Sequence, residues 1–143
     1  SLENNYFADM TRTYVKGRAS NDLKKIFNAV LKVQEEMISE IKAGENGKCF
    51  YDLACRKFND LGFSSSKNDG FIHGLGHGLG LEVHEGPYLN KLGNDILING
   101  NVATVEPGLY YKNIGGVRIE DVVVIKDGSC ENLTNYPKVL EIK

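Results

Sequence analysis

No apolar run in this chain of 143 residues approaches the ~20 residues that a membrane-spanning helix needs; the longest is Val122-Val123-Val124-Ile125. An excess of either charge is also missing. Seventeen Lys and Arg stand against nineteen Asp and Glu, a net of −2 with both signs mixed along the chain. No phosphate-tracking surface is indicated, and nucleic acid is not an expected partner. Cysteine is sparse: Cys49, Cys55 and Cys130 are an odd set without paired spacing, which does not make a disulfide framework. Cys49 and Cys55 read instead as small core residues in a reducing cytoplasm. There is no signal-peptide pattern, internal repeat or low-complexity segment. The usual nucleotide and nucleophile motifs are absent too. Gly74-x-Gly76-x-Gly78-x-Gly80 lacks the dinucleotide spacing and no helix pattern follows it, no Walker loop is present, and no Gly-x-Ser-x-Gly occurs.

What remains is an ordinary globular composition, 41% hydrophobic and 25% charged, with the length of one domain and enough of it to bury a core. The chain opens without Met, and Asp9 already lies in a strand-like run, Tyr6 to Val15, so it is expected to be a piece of something longer. Ser20 or Asn21 can cap a helix carrying Leu23, Ile26, Phe27, Val30, Leu31, Met37, Ile38 and Ile41, running to about Ala43. A second amphipathic helix is expected over Tyr51 to Leu61. The glycine-rich stretch Gly70 to Pro87 holds all three histidines. Strands are expected at Val102 to Tyr111 and Gly116 to Ile125, then a hairpin turn at Lys126-Asp127-Gly128-Ser129 and a short terminal strand. This order predicts an α+β domain, helices on one face of a mostly antiparallel sheet and a site on the other.

Four residues in this frame resist explanation by packing alone. Asp9 alternates with Thr11 and Thr13, and Asp is depleted in strands. Glu106 precedes Pro107, which favours an extended, rigid strand end. Arg118 and Glu120 share a face of the last long strand, opposite to Val117, Ile119, Asp121 and Val123. His73 and His77 are four apart, but Gly74, Gly76, Gly78 and Gly80 would each cost about 1 kcal/mol in a helix, so the segment reads as extended. His84, seven after His77, falls on the opposite face of a straight strand and joins the others only if the chain bends. Each acid taken singly also fits a solvated edge or a surface ion pair. Together, three carboxylates and an imidazole form an oxygen-rich set suited to a catalytic metal.

In order, the segments Asp9-Met-Thr-Arg-Thr13, His73-Gly-Leu-Gly-His-Gly78, Val83-His-Glu-Gly-Pro87, Val105-Glu-Pro-Gly-Leu-Tyr110 and Gly116-Val-Arg-Ile-Glu-Asp121 resemble the catalytic domain of the "pita-bread" metallopeptidases. The likeness runs over nearly all of residues 1–143 and is nearest to the Xaa-Pro branch, prolidase and aminopeptidase P. Methionine aminopeptidases usually carry a second Glu where Gly86 stands and rarely a His at position 73. The resemblance implies a partial pita-bread fold, the carboxy-terminal part of a catalytic domain whose first repeat and amino-terminal domain lie upstream.

It further implies hydrolysis of Xaa-Pro bonds in short peptides, as a dipeptidase or an aminopeptidase. Two divalent ions (Mn, Co or Zn) would serve it, with Asp9, His77, Glu106 and Glu120 as four ligands and a fifth, in an Asp-x-Gly strand, before Ser1. Glu106 would also carry the proton to the leaving nitrogen. His84 would stabilise the oxyanion, His73 would meet the substrate's proline end or the oxyanion, and Arg118 would orient a ligand carboxylate. With no ion present, three clustered carboxylates should leave at least one protonated. The parent is expected to be cytoplasmic, in a branch often homodimeric. The alternatives carried beside this reading are a non-catalytic binding module of the same fold and a methionine aminopeptidase-type exopeptidase.

Overall fold

The computed structural model describes residues 3–143. Its centre is a five-stranded sheet in the order β3-β2-β4-β7-β8, from Glu85–Leu89 (β3), Gly76–Gly78 (β2), Val102–Val105 (β4), Asp121–Lys126 (β7) and Ser129–Asn132 (β8). Every neighbouring pair is antiparallel. Gly108–Tyr111 (β5) and Gly115–Arg118 (β6) form a second pair, and Val15–Lys16 (β1) pairs in parallel with Glu141–Ile142 (β9). Two helices, Asn21–Glu40 (α1) and Gly47–Asp60 (α2), pack on the sheet, α1 over β6 and β8 and α2 over β3. The α+β class expected from the sequence is the class observed.

Ser20 caps α1 by accepting the Leu23 N–H, as its side chain and position predict. The helix ends at Glu40, short of Ala43, because Ile41 turns extended while its N–H still reaches Met37 O. The second helix begins four residues before the expected Tyr51: Asn46 accepts the Lys48 N–H and starts it at Gly47. Val30, Val33 and Met37 of α1 and Phe58 of α2 are fully buried against Leu75, Leu109, Val123 and Ile125. The expectation for Cys49 is overturned. It is exposed on the outer side of α2, while Cys55 and Cys130 are half-buried.

The two long strands expected at Val102–Tyr111 and Gly116–Ile125 form one hairpin ladder broken in the middle. Val105 faces Asp121 on one side of the break and Gly108 faces Arg118 on the other. Pro107 has no N–H to give, and Glu120 gives its N–H to Thr11 O, 3.0 Å away, instead of to its hairpin partner. Glu106 and Glu120 therefore sit opposite one another where the ladder opens. The tight turn after β7 is as expected, with Gly128 at φ 80° between Lys126 and Ser129.

The expected strand Tyr6–Val15 is reduced to Val15–Lys16. Upstream of it the chain is held at separate points, Phe7 N–H to Gly80 O, Thr11 in a bridge with Glu120, and Val15 N–H to Leu140 O. Its partners change from place to place, so no continuous ladder forms.

Gly76 lies where β2 crosses β4 most closely: a Cβ there would fall inside the Thr104 carbonyl. The Gly76→Ala variant is therefore expected to lose about 1–3 kcal/mol of stability. Urea denaturation of the full-length protein measures it, and a loss below about 0.5 kcal/mol would show that the strands part freely.

Candidate metal centre

The break in the hairpin brings the acids together. His77 comes from β2, Glu106 from the end of β4, Glu120 from the start of β7, and Asp9 from the segment that bridges to Glu120 at Thr11. Asp9, His77 and Glu120 each offer a ligand atom within 4.8 Å of the other two. His77 Nε2 lies 3.2 Å from Glu106 Oε1 and 3.9 Å from Asp9 Oδ2. Glu106 joins the group through His77 and stands outside the tighter three.

The surroundings fix these side chains. His77 Nδ1 is 3.0 Å from Gly78 O, which places a proton on Nδ1 and turns Nε2 toward the carboxylates. Thr104, fully buried, accepts the His77 N–H at 3.0 Å and donates its hydroxyl to Glu106 Oε1 at 3.2 Å. Thr11 donates to Glu120 Oε2 at 2.5 Å and accepts from Arg118 Nε at 3.1 Å. Arg118 thus reaches Glu120 through Thr11, while its Nε is 4.0 Å from Glu106 Oε2. The direct Arg118–Glu120 bond allowed by their shared face is replaced by this relay.

Burial and mutual repulsion act on the acids of this group, with His77 and Arg118 acting against them. Burial, together with the nearby charges of Glu106 and Asp9, pushes Glu120 up to about 6 against the hydrogen bond from Thr11. Glu120 is thus the acid driven toward its protonated form. Burial disfavours charge on His77, but its bonds to Glu106 and to the Gly78 carbonyl outweigh this and raise its pKa. Burial would raise Glu106 as well; the His77 hydrogen bond and charge win and hold it low. An Nε2 aimed at a cluster of acids, beside a carboxyl pushed toward its neutral form, suits a divalent cation.

His84 reaches the site because the chain bends. The register between β2 and β3 shifts after His77, and Glu85 accepts the Glu82 N–H at 3.0 Å to close the turn. The His84 ring ends 4.2 Å from the His77 ring, centroid to centroid. His73 Nδ1 is 2.7 Å from Gly74 O and its Nε2 is 3.1 Å from the Tyr110 hydroxyl. Burial lowers its pKa despite the Gly74 bond, so the ring is neutral, with Nε2 accepting from Tyr110. Tyr110 itself is raised by burial, opposed by Arg118 against it.

An open cleft of about 350 Å³ is lined by His73, His77, His84, Glu106, Arg118 and Tyr88, among others. The structure thus brings His73, His77, His84, Glu106 and Arg118 to one cleft; Asp9 and Glu120 do not line it and join the group through His77, Asp9 lining a separate cavity with Tyr6, Met10 and Leu79. Three participants were not singled out: Thr11, Thr104 and Tyr110. Thr11 and Thr104 each stand two residues from an acid on an extended segment, hence on its face, and that spacing is the signal that could have found them.

Comparison with known proteins adds a second line. Residues 1–127 match metallopeptidase family M24. An Xaa-Pro dipeptidase of Pyrococcus furiosus is 37% identical over 140 residues, covering 98% of this chain and 39% of that protein. An uncharacterized peptidase, YqhT, of Bacillus subtilis is 42% identical over 137 residues, covering 96% and 38%. Among solved structures, an X-Pro aminopeptidase from Thermotoga maritima superposes with a TM-score of 0.89 at 39% identity, and an Xaa-Pro dipeptidase from Bacillus anthracis with 0.90 at 39%; each match covers 96% of this chain and 38% of the other. The chain spans well under half the length of the relatives it matches. No helix among the described residues is long and apolar enough to cross a membrane.

Proposed function

This chain belongs to metallopeptidase family M24, and from that premise we propose that it is the carboxy-terminal part of the catalytic domain of an Xaa-Pro peptidase. The observation that carries the reading is the convergence of Asp9, His77 and Glu120, with Glu106 on His77 and both His77 and Glu106 lining one cleft. The relatives named for Xaa-Pro cleavage supply the substrate class. Family membership implies a divalent metal. Asp9, His77, Glu106 and Glu120 would hold it, as one of a pair of ions completed by an acid outside this chain. The whole activity would draw on parts that the relatives carry beyond the matched stretch, so these 143 residues alone are expected to be inactive. The parent protein works in the cytoplasm on short peptides, in a branch where homodimers are common.

When bound, the metal polarises the scissile carbonyl and activates water. The remaining work falls to side chains. Glu106 carries a proton to the leaving nitrogen; the Thr104 bond and the strand end before Pro107 fix its carboxylate. His84, beside His77, donates to the oxygen that gains charge. His73, neutral and already an acceptor for Tyr110, is not set to donate there. It gives the proline ring an apolar wall and holds the Tyr110 hydroxyl in place. Arg118 keeps Glu120 in position through Thr11 and offers its charge to the substrate's far end.

The presence of Asp9, His77, Glu106 and Glu120 together argues against a non-catalytic binding module, and His73 with Gly86 argues against the methionine aminopeptidase branch. The test is turnover by the full-length protein with Mn²⁺ or Co²⁺ on Ala-Pro, Ala-Ala and an Ala-Pro-containing tripeptide. Cleavage of the proline peptides at 100-fold or greater preference is expected. Equal rates on Ala-Ala would remove the proline specificity, and no metal-dependent turnover on any peptide would remove the enzyme. The tripeptide separates dipeptidase from aminopeptidase.

A further inference from the structure

Behind the ligand face lies a second charge centre, built on the fully buried Asp121, that the chemistry above does not use. Successive residues of an extended segment point to opposite faces. Thr11 and Glu120 face the ligand group, so Arg12 and Asp121 face the interior. The Asp121 side chain is completely buried and the Arg12 side chain is 3% exposed. Asp121 Oδ1 accepts from Arg12 Nη2 at 2.6 Å. Its Oδ2 accepts from Gln34 of α1 at 3.0 Å, from Asn132 of β8 at 2.8 Å and from Lys138 Nζ at 2.7 Å. Lys138 also donates to Gln34 Oε1 at 2.7 Å, which closes the network. A carboxylate with this many partners is rigidly held.

The Arg12 guanidinium ties that rigid point to the ligand segments. Its Nη1 donates to Glu120 O at 2.7 Å and to Thr11 O at 2.9 Å, while Nη2 spans Asp121 Oδ1 and Tyr136 O at 3.0 Å. One planar fork therefore grips the main chain on both sides of the Thr11–Glu120 bridge. That bridge is the only backbone pairing among the described residues between the Asp9 segment and the Glu120 strand. The surrounding ladder is open there, so ordinary strand pairing does not fix the spacing of the two acids.

We infer that Arg12, clamped by buried Asp121, is a positioning residue that sets the separation of Asp9 and Glu120 and thereby the affinity of the metal centre. The inference rests on the metal-site reading above. Arg12 touches neither metal nor substrate; it acts through the Glu120 and Thr11 carbonyls. The geometry of the fork matters more than its charge. A lysine ammonium keeps the charge but cannot span Glu120 O, Thr11 O and Asp121 Oδ1 in one plane.

The experiment is Arg12→Lys in the full-length protein, read by Co²⁺ titration calorimetry and the visible Co²⁺ absorption bands well below the melting temperature. Affinity is expected to fall 10–100-fold, the range found when a partner that orients a metal ligand is removed, with altered band intensity. Under saturating Co²⁺, kcat is expected to fall while KM stays within about twofold, because the cleft walls are untouched. A merely structural role would lower the melting temperature and leave the Co²⁺ affinity of the folded protein alone. Wild-type-like affinity and bands in Arg12→Lys, with tight binding in the wild type, overturn this inference and spare the metal site. A wild type that binds no Co²⁺ overturns both. If Arg12→Lys does not fold, Lys138→Met decides. Its side chain is 19% exposed, and it removes one clamp on Asp121 Oδ2. A three- to tenfold loss of Co²⁺ affinity supports the inference, and a change under twofold overturns it.

Discussion

Replacing Glu106 by Gln in the full-length protein is expected to lower turnover of an Xaa-Pro dipeptide by about 10²–10⁴-fold, the usual worth of a positioned proton carrier. The substitution is close to isosteric. The amide keeps the length of the side chain and can still accept from Thr104, which now donates to Oε1 at 3.2 Å. The Glu106 N–H to Leu75 O bond, at 2.8 Å, is untouched, so circular dichroism and the melting transition should stay close to wild type. What is lost is the ability to receive and release a proton, and the negative charge that raises the pKa of His77. Metal affinity should fall as well, but saturating metal should not restore kcat. That separates a proton carrier from a simple ligand. Turnover within about tenfold of wild type at saturating metal would reject the role of Glu106, whatever the fate of the other residues.

Much of this site was legible because its signals are local. Pro107 marks a rigid strand end, alternation places Arg118 and Glu120 on one face, and the glycines between His73 and Gly80 speak against a helix. What the sequence hid depends on chain paths. The place of His84 turns on a register shift after His77 and a turn closed by Glu85, neither of which leaves a periodic trace. The break in the β4–β7 hairpin comes from Thr11, over a hundred residues away, taking the Glu120 N–H. The run Tyr6–Val15 has strand composition, yet it pairs point by point with three separate partners. Alternation puts Asp121 on the face opposite Glu120 without saying that Gln34, Asn132 and Lys138 converge on it. Cys49 reads as core from its residue type, but α2 buries Gly47, Phe50, Ala54 and Phe58 at helical spacing and Cys49 lies off that face.

The metal-free protein is expected to lose stability as pH rises from about 5 to 7.5, and added divalent ion is expected to reverse the trend. Glu120, 2% exposed, is raised from 4.5 to about 6 in the folded state by burial and by its acidic neighbours. A group whose folded pKa lies above its unfolded value stabilises the fold below the unfolded value, and that stability is lost as pH rises through the folded one. The window for Glu120 is therefore about 4.5 to 6, and a shift of that size corresponds to about 2 kcal/mol. His77 is raised too, so its contribution is complete below 6.5 and disappears at higher pH, in the same direction. His73, lowered by burial, acts the other way: its contribution is lost as pH falls below 6.5, and it offsets part of the trend. Glu106 and Asp121 are held low by their partners and have the opposite sign. Their stabilisation is lost only as pH falls through their depressed values, below the range of the experiment. A divalent ion requires the deprotonated form of Glu120 and a free Nε2 on His77, so it competes with the protons these two groups take up at low pH. At a hundred times its dissociation constant it adds about 2.7 kcal/mol, and that gain should grow between pH 5 and 7.5 as the protons leave. Thermal melts of the full-length protein in chelator and in Co²⁺ across this range check both signs. A chelated protein whose melting temperature climbs toward pH 7.5, or a metal-induced rise larger at pH 5 than at 7.5, would mean that burial and mutual repulsion do not act on the acids of this group.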